Sequence, residues 1–446
     1  MQSHCLPDQI KIFPVHIALF ILQHLLSEGK LMKLEEETFT RLSSSLRIRN
    51  AEESLKIAAS IALSRGISRV VDTTRLDRIG IPVYSSIRPD AAQGSLCVHA
   101  GKGFTHAEAK IGAYMEAIEF SFAASGKNVT KFSLTKPSEI LKSFRKEIHF
   151  ADFCPRRDRM IQHEDDIAVV DGEEIMSGLN SVLVPAELVY HPFSENPGKK
   201  LYGTSTNGLA SGNSLEEATV HGMAEVMERH IRSFDVVNDN SVLVCIDSAP
   251  EKVKAMARQI EQAGFICHLR YSKNSFGMAY FSGYVLEPDE YNPISVAVGF
   301  GFHPIAEIAA VRAIAEAVQG RLSHIHGGRD DIAERVKIGA DWGRQRELTY
   351  IRKLRDLASN SVGLINFQEV PTSQINSIKD AQQQMFDALK KANFNHVVRV
   401  QLTDKNYPFQ VVRIIIPGCE MYDHNIPRVG PRLVAHIKQC REMQNE

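Results

Sequence analysis

Three stretches of the chain repeat one pattern of apolar and polar positions. Each is a short apolar run, a turn of small residues, and a long segment at helical spacing that is apolar on nearly every face. In Gly101 to Ala124 (GKGFTHAEAKIGAYMEAIEFSFAA) the spacing of Thr105 and Glu108 is that of a capping box, which predicts a helix beginning just after Thr105. In Gly203 to Ser233 (GTSTNGLASGNSLEEATVHGMAEVMERHIRS) Ser214 and Glu217 repeat the box. A fainter third copy is Gly299 to Arg321 (GFGFHPIAEIAAVRAIAEAVQGR).

The rest of the chain reads as short strands and helices. Helical spacing runs from Ser54 to Ser64 and is closed by Gly66, followed by strands at Ile67 to Val71, within Thr73 to Pro89 ending at Arg88, and at Leu96 to Ala100. Ser138 to Asp166 is a polar excursion that includes the basic CPRRDR segment. Strands resume at Ile167 to Val170 and Ser181 to Tyr190, and His191 to Lys200 is a Pro/Gly loop. Beyond the second copy the pattern gives a strand (Ser241 to Ile246), a helix with proline in its first turn (Pro250 to Ala263), and strands at Cys267 to Ser272, Ala279 to Val285 and Ile294 to Gly299. Ser323 to Ile332 reads as a loop with Asp330 and Asp331 at the surface, Asp341 to Leu389 as polar helix, and His396 to Leu402 and Phe409 to Pro417 as strands. The expected class is α+β, with mixed sheets and helices packed around a site and three related strand-turn-helix units.

Residues 1–45 are expected to be an N-terminal extension and 46–446 the main domain. Ile10 to Leu26 is the most apolar segment of the extension, but it is short for a membrane span and lacks a basic leader region, so a docked or dimer-forming helix is expected. The character changes at Met32, which makes that residue an alternative start.

Composition narrows the class. A hydrophobic content of 43%, a charged content of 24% and a net charge of −1 describe an ordinary globular protein without the basic excess that nucleic acid binding calls for. The seven cysteines include no CxxC pair, so neither a zinc site nor a disulfide framework is expected, and they suit a reducing cytoplasm. There is no HExxH motif; His106, His221, His303, His324 and His326 near the repeats read as structural residues rather than ligands.

The chemistry sits on the repeated helices. Glu116 and Glu119 are the only charges between Ile111 and Ala124, and Glu225 is the only one from Ala218 to Met227, with Glu228 and Arg229 directly after. Glu116 follows Thr105 by eleven residues, as Glu225 follows Ser214. In the third copy Glu316 and Gln319 take the corresponding places, so the pattern is ExxE, ExxE, ExxQ. Desolvating a bare carboxylate costs several kcal/mol, and no equal set of Lys or Arg flanks these four in sequence. A hard cation is the expected partner, and carboxylate oxygens point to Mg²⁺. Mg²⁺ held by one or two carboxylates usually also holds phosphate, and each helix starts at a turn with free N–H groups; a nucleoside triphosphate clamped between converging helices follows. Lys102 is a candidate phosphate contact, although its spacing is not that of a P-loop.

These motifs resemble the YcaO family of ATP-using enzymes that modify peptide backbone amides. GKGxxxxxAxxxAxxEAxE is met by Gly101 to Glu119, SNGLAxGNxxxEAxxHxxxEvxER by Thr206 to Arg229 with Thr206 in place of Ser, and RAxxEAxQxR by Arg312 to Arg321. The resemblance, running from about Arg47 to Arg432, implies a YcaO-type fold with ATP and Mg²⁺ as cofactors. It implies that Glu116, Glu119, Glu225 and Glu228 bind metal and phosphates, with Glu217 as a further metal or nucleotide contact. It also implies that Arg229, Asn213, Gln319 and Arg321 contact the nucleotide, and that Arg47 and Ser54, seven apart, do so upstream. Blocks such as GISRVVDTTRLDRIGIPVYSSIRP, MEAIEFSFA, VPAELVY and GGRDD resemble the branch that works with a TfuA protein, which implies thioamide formation with a sulfur donor. The chain ends Met-Gln-Asn-Glu rather than in the proline-rich tail common among azoline-forming members. An azoline-forming cyclodehydratase, favoured by a peptide-binding E1-like partner, and a non-catalytic ATP-binding accessory protein are the alternatives. A peptide or protein substrate and a homodimer complete the expectation.

Overall fold

The computed structural model describes residues 40–144, 148–291, 294–423 and 426–445. The chain divides into two units, Met1–Thr38 and Phe39–Glu446. The expected apolar helix and the alternative start at Met32 lie outside the described residues.

Three sheets each feed one long helix. Arg69–Asp72, Val83–Ile87 and β1 (Val98–Lys102) form an antiparallel sheet, and β1 turns into α1 (His106–Ala123). A six-stranded sheet carries β2 (Leu209–Gly212) at its edge beside Gln410–Ile415, and β2 turns into α2 (Leu215–Asp235). In a five-stranded sheet β3 (Val296–His303) is the edge strand, pairs with Ala279–Leu286, and leads into α3 (Ala306–His326). The N-caps form as the spacing predicts, the Thr105 hydroxyl accepting from Glu108 N–H and the Ser214 hydroxyl from Glu217 N–H, but the return half of each box shifts one residue upstream, Glu108 accepting from Phe104 N–H and Glu217 from Asn213 N–H. The third helix has Ile305 at the N-cap, so Glu316 also stands eleven residues past its cap, on the same turn as Glu116 and Glu225.

One device sets how closely each helix lies on its own strand. A Cβ at Gly101 would fall 2.1 Å from Ala109 O, at Gly212 2.4 Å from Ala218 N, and at Gly299 2.2 Å from Ala317 N. Only glycine lets the backbones approach this far, and the approach presses α2 onto its strand at the first turn and α1 and α3 onto theirs further along the helix. Apolar burial holds the third unit in place: all eight residues of Ala279–Leu286 are buried, as are eleven apolar residues of α3.

The structure corrects some expected boundaries. β3 runs on to His303, and Ser323 to His326 are the last turn of α3, which ends at Gly327 in the left-handed conformation. Asp330 and Asp331 open a new helix, Asp330–Trp342, where their charge suits the helix N-terminus. The polar stretch to Leu389 is split into Arg344–Ser359 and Ile378–Lys391, with the two-residue strand Ile365–Asn366 between them. The tail forms a helix, Pro431–Asn445, that the polar pattern did not announce.

Candidate functional site

The three helices converge on a cleft of about 530 Å³. α1 lines it with Glu116 and Glu119, α2 with His221, Glu225, Glu228 and Arg229, and α3 with Arg312, Glu316 and Gln319. Each helix is tied to strand ends through these same residues. Ala100 N–H donates to Glu116 at 2.9 Å, the Ser211 hydroxyl to Glu119 at 2.5 Å, and Phe302 N–H to Glu228 at 3.1 Å. Gln319 donates to Ala100 O at 2.8 Å, so one residue of β1 anchors both α1 and α3.

These carboxylates are poorly compensated as anions. Burial pushes Glu119 up to about 8, with Glu225 and Glu116 adding repulsion against the Ser211 hydrogen bond. Burial and then Glu316 push Glu228 to about 7, and burial also raises Glu116 and Glu225. Glu316 differs: burial works against its charge, but the Lys102 ammonium at 2.9 Å and the guanidinium groups of Arg229 and Arg312 bring it below the ordinary range. Four carboxylates that shed protons reluctantly around one cavity are a donor set that a divalent cation would complete, so the residues fit Mg²⁺. Among the described residues no three His, Cys, Asp or Glu side chains stand together as a ready-made metal site. Mg²⁺ does not require one, because waters and phosphates normally fill most of its octahedron.

The first-turn glutamates of the helices grip a single N-terminal ribbon, Thr40–Arg41 paired with Leu46–Arg47. Glu108 accepts from Ser43 N–H, Glu307 pairs with Arg41 at 2.5 Å, and Glu217 takes Arg47 at 2.8 Å and Ile48 N–H at 2.9 Å. Glu217 also accepts from Asn213, whose side-chain oxygen receives the Ser54 hydroxyl at 2.9 Å. The structure thus brings Arg47, Ser54, Asn213 and Glu217 into one network on the cleft wall.

Arg321 is the exception among the residues the sequence singled out. Its side chain is buried away from the cleft lining, with Nε 2.9 Å from Asp77, Nη2 2.6 Å from Glu287, and its guanidinium over the Phe265 ring. The reason is helical geometry: two residues beyond Gln319, it points to the opposite side of α3. Cations that do not flank the carboxylates in sequence reach them through the fold. Arg47, Arg49, Lys102, Arg229, Arg232, Arg312 and Arg329 all line the cleft, four of them from segments other than the repeated helices. Burial opposes the charge of Arg229, and Glu225, Glu228 and Glu316 outweigh it. The Nε atoms of Arg229 and Arg312 are buried without a partner among the described residues. Asp331, expected at the surface, lines the cleft with Arg329, and so do His221 and His324. Sequence reading missed Arg312 as a site residue although it lies one turn before Glu316, a spacing that could have revealed it. Nothing local signalled Arg413, which is fully buried and holds the turn before β2 by donating to Ser205 O, Asn207 O and Val189 O.

Converging helices that present carboxylates and guanidinium groups to one cavity define a protein that binds a metal and an anionic ligand together. The chain belongs to the YcaO family: the family model described as YcaO cyclodehydratase, ATP- and Mg²⁺-binding, matches residues 100–420. The cofactors read from the sequence, ATP and Mg²⁺, are those of that family. An uncharacterized protein of Methanothermobacter thermautotrophicus is 30% identical over 393 residues, covering 86% of this chain and 98% of that protein. A Rhizobium leguminosarum bv. trifolii protein described as uncharacterized, in the tfuA 3' region, is 29% identical over 80% of this chain and 84% of its own. The structure of YcaO from Methanopyrus kandleri bound with AMPPCP and Mg²⁺ superposes with a TM-score of 0.68 at 21% identity, covering 87% of this chain and 96% of that one. A heterocyclase in complex with substrate and cofactor gives 0.70 at 16% identity, over 91% of this chain and 57% of that one. At these identities the two structures establish the fold. Among the described residues no helix is long and apolar enough to cross a membrane.

Proposed function

We propose that this protein activates a peptide backbone amide by ATP- and Mg²⁺-dependent phosphorylation of its oxygen, for thioamide formation together with a TfuA protein and a sulfur donor. The observation that carries the phosphoryl-transfer reading is the cleft itself, lined by four carboxylates that burial pushes above their ordinary range together with Arg229 and Arg312. An amide oxygen is a poor leaving group, and bound ATP with Mg²⁺ supplies the phosphoryl group that makes it a good one. Glu116, Glu119, Glu225 and Glu228 would hold the metal. Arg229 and Arg312, with unpaired Nε donors, would take charge from the phosphates, and the network of Arg47, Ser54, Asn213 and Glu217 would orient the nucleoside end.

Support for the thioamide product comes from the relative whose description places it beside tfuA. Cyclodehydration is the second reading, favoured by the family description and by the likeness to a heterocyclase. Purified protein is assayed for phosphate release with Mg²⁺ and ATP, with and without sulfide, a TfuA protein and a candidate peptide, and the peptide is then weighed. Sulfide-dependent exchange of one oxygen for sulfur establishes thioamidation, and loss of one water establishes cyclodehydration. Peptide-independent ATP turnover with no mass change in any peptide points to an accessory role. We propose a homodimer as the working unit, and light scattering in solution tests it.

A further inference from the structure

Arg329 has no counterpart in the repeated units. It stands just beyond α3, after the left-handed Gly327, on a segment anchored at Asp330. Asp330 accepts from Cys97 N–H at 2.6 Å, which ties the segment to the residue preceding β1. Asp331 holds the guanidinium edge-on, with Nε at 2.9 Å and Nη2 at 3.0 Å. That bidentate grip fixes the plane of the fork and leaves Nη1 as the donor that no hydrogen bond among the described residues uses. The side chain is 26% exposed, and it lines the cleft.

Its neighbours show which end of the cleft it serves. Arg329 is the foremost charge acting on Glu116 and also faces Glu316, while Arg47 acts on Glu119 and His221. Hydrogen bonds set the two arginines at different members of the α1 pair: Arg47 donates to Ser211 O at 3.1 Å and the Ser211 hydroxyl holds Glu119, whereas Asp330 ties the Arg329 segment to Cys97, just before the strand whose Ala100 N–H holds Glu116. Arg47 belongs to the network of Ser54, Asn213 and Glu217, where the reading above puts the nucleoside. A triphosphate laid from that end across the carboxylates would end at Arg329.

We propose that Arg329, held in plane by Asp331, is the contact for the terminal phosphoryl group, the feature by which the cleft tells a nucleoside triphosphate from a diphosphate. This rests on the reading of the cleft as an ATP site. Asp331 acts as a positioning residue, accepting from Nε and Nη2 and so fixing the plane of the fork.

Calorimetric titration of the full chain with ATP and with ADP, each with Mg²⁺, tests it without reference to turnover. Arg329→Met is expected to weaken ATP binding by about 10- to 100-fold, the range for a hydrogen bond to a charged group, and to leave ADP binding unchanged. Arg329→Lys keeps the charge without the fork and is expected to recover part of the discrimination, and Asp331→Asn to lose part of it. Thermal melting confirms that each variant is folded, and Arg329→Lys carries the test if Arg329→Met is not. Equal weakening of ATP and ADP, or no change in either, overturns the assignment while leaving the ATP site intact. A wild-type protein that binds neither nucleotide overturns the ATP reading itself, and the assignment with it.

Discussion

Arg321→Met separates a structural arginine from a nucleotide contact, and the structure sets its cost. The wild-type guanidinium neutralises Asp77 and Glu287 at 2.9 and 2.6 Å, donates to Ile294 O at 3.0 Å, and lies 4.5 Å from the Phe265 ring centroid. All three charged side chains are 10% exposed or less. Methionine fills the space of the stem but leaves two carboxylates without a cation in a site that water scarcely reaches. Removing one partner of such a buried set costs about 3–5 kcal/mol, a large share of the about 5–15 kcal/mol that holds a protein folded. Urea titration followed by circular dichroism is expected to show that loss at unchanged slope. Adding Asp77→Leu and Glu287→Leu to the variant is expected to recover most of it, because the stranded charges go too. Calorimetry on the folded variant is expected to give the wild-type affinity for ATP with Mg²⁺. Loss of ATP binding in a fully folded variant, or a stability change under about 1 kcal/mol, would refute the structural assignment and restore the nucleotide role that the sequence motif suggested.

Other consequences of the geometry are open to measurement. Glu116→Gln and Glu225→Gln are each expected to weaken Mg²⁺-dependent ATP binding by about 10-fold or more without unfolding the protein; undiminished affinity in both would remove the carboxylates from the metal site. Because Glu119 and Glu228 are raised to about 8 and about 7, the folded empty cleft keeps protons that the unfolded chain has released. Their contribution to stability is therefore full below the ordinary carboxylate range and is lost as pH rises to about 8, so the melting temperature without ligand should fall across that window. ATP binding with Mg²⁺ should tighten over the same window, since the protons must leave for the metal to enter, and a pH-independent affinity would contradict this. Gly212→Ala puts a Cβ 2.4 Å from Ala218 N, so α2 must retreat; a loss of about 1–3 kcal/mol is expected in urea titration, together with weaker ATP binding.

Much of the site was legible because the chain writes it three times. Glutamates on helices with apolar flanks contradict the solvated-face reading, and the N-caps at Thr105 and Ser214 fix which turn of each helix carries them. The strand-turn-helix order followed from the change of hydrophobic period, and the left-handed cap at Gly66 was marked by its residue type. What was illegible arrives from afar. Arg329 comes from a segment that reads as a loop, Lys102 meets Glu316 across 214 residues, and Arg413 reaches the turn before β2 from a strand beside it. No local pattern encodes such meetings, and a motif position such as Arg321 can look like part of the site while its helix turns it into the core.

By itself the sequence determined the α+β class, the three units, the carboxylate quartet and the phosphate-and-metal chemistry, because periodicity, caps and charge in apolar surroundings are local properties. Only the tertiary structure decided which cations stand beside those carboxylates, how the first-turn glutamates of all three helices grip one ribbon, and which arginines face the cleft. Those depend on how closely each helix lies on its strand and on which side chains that approach brings within a few ångströms of one another.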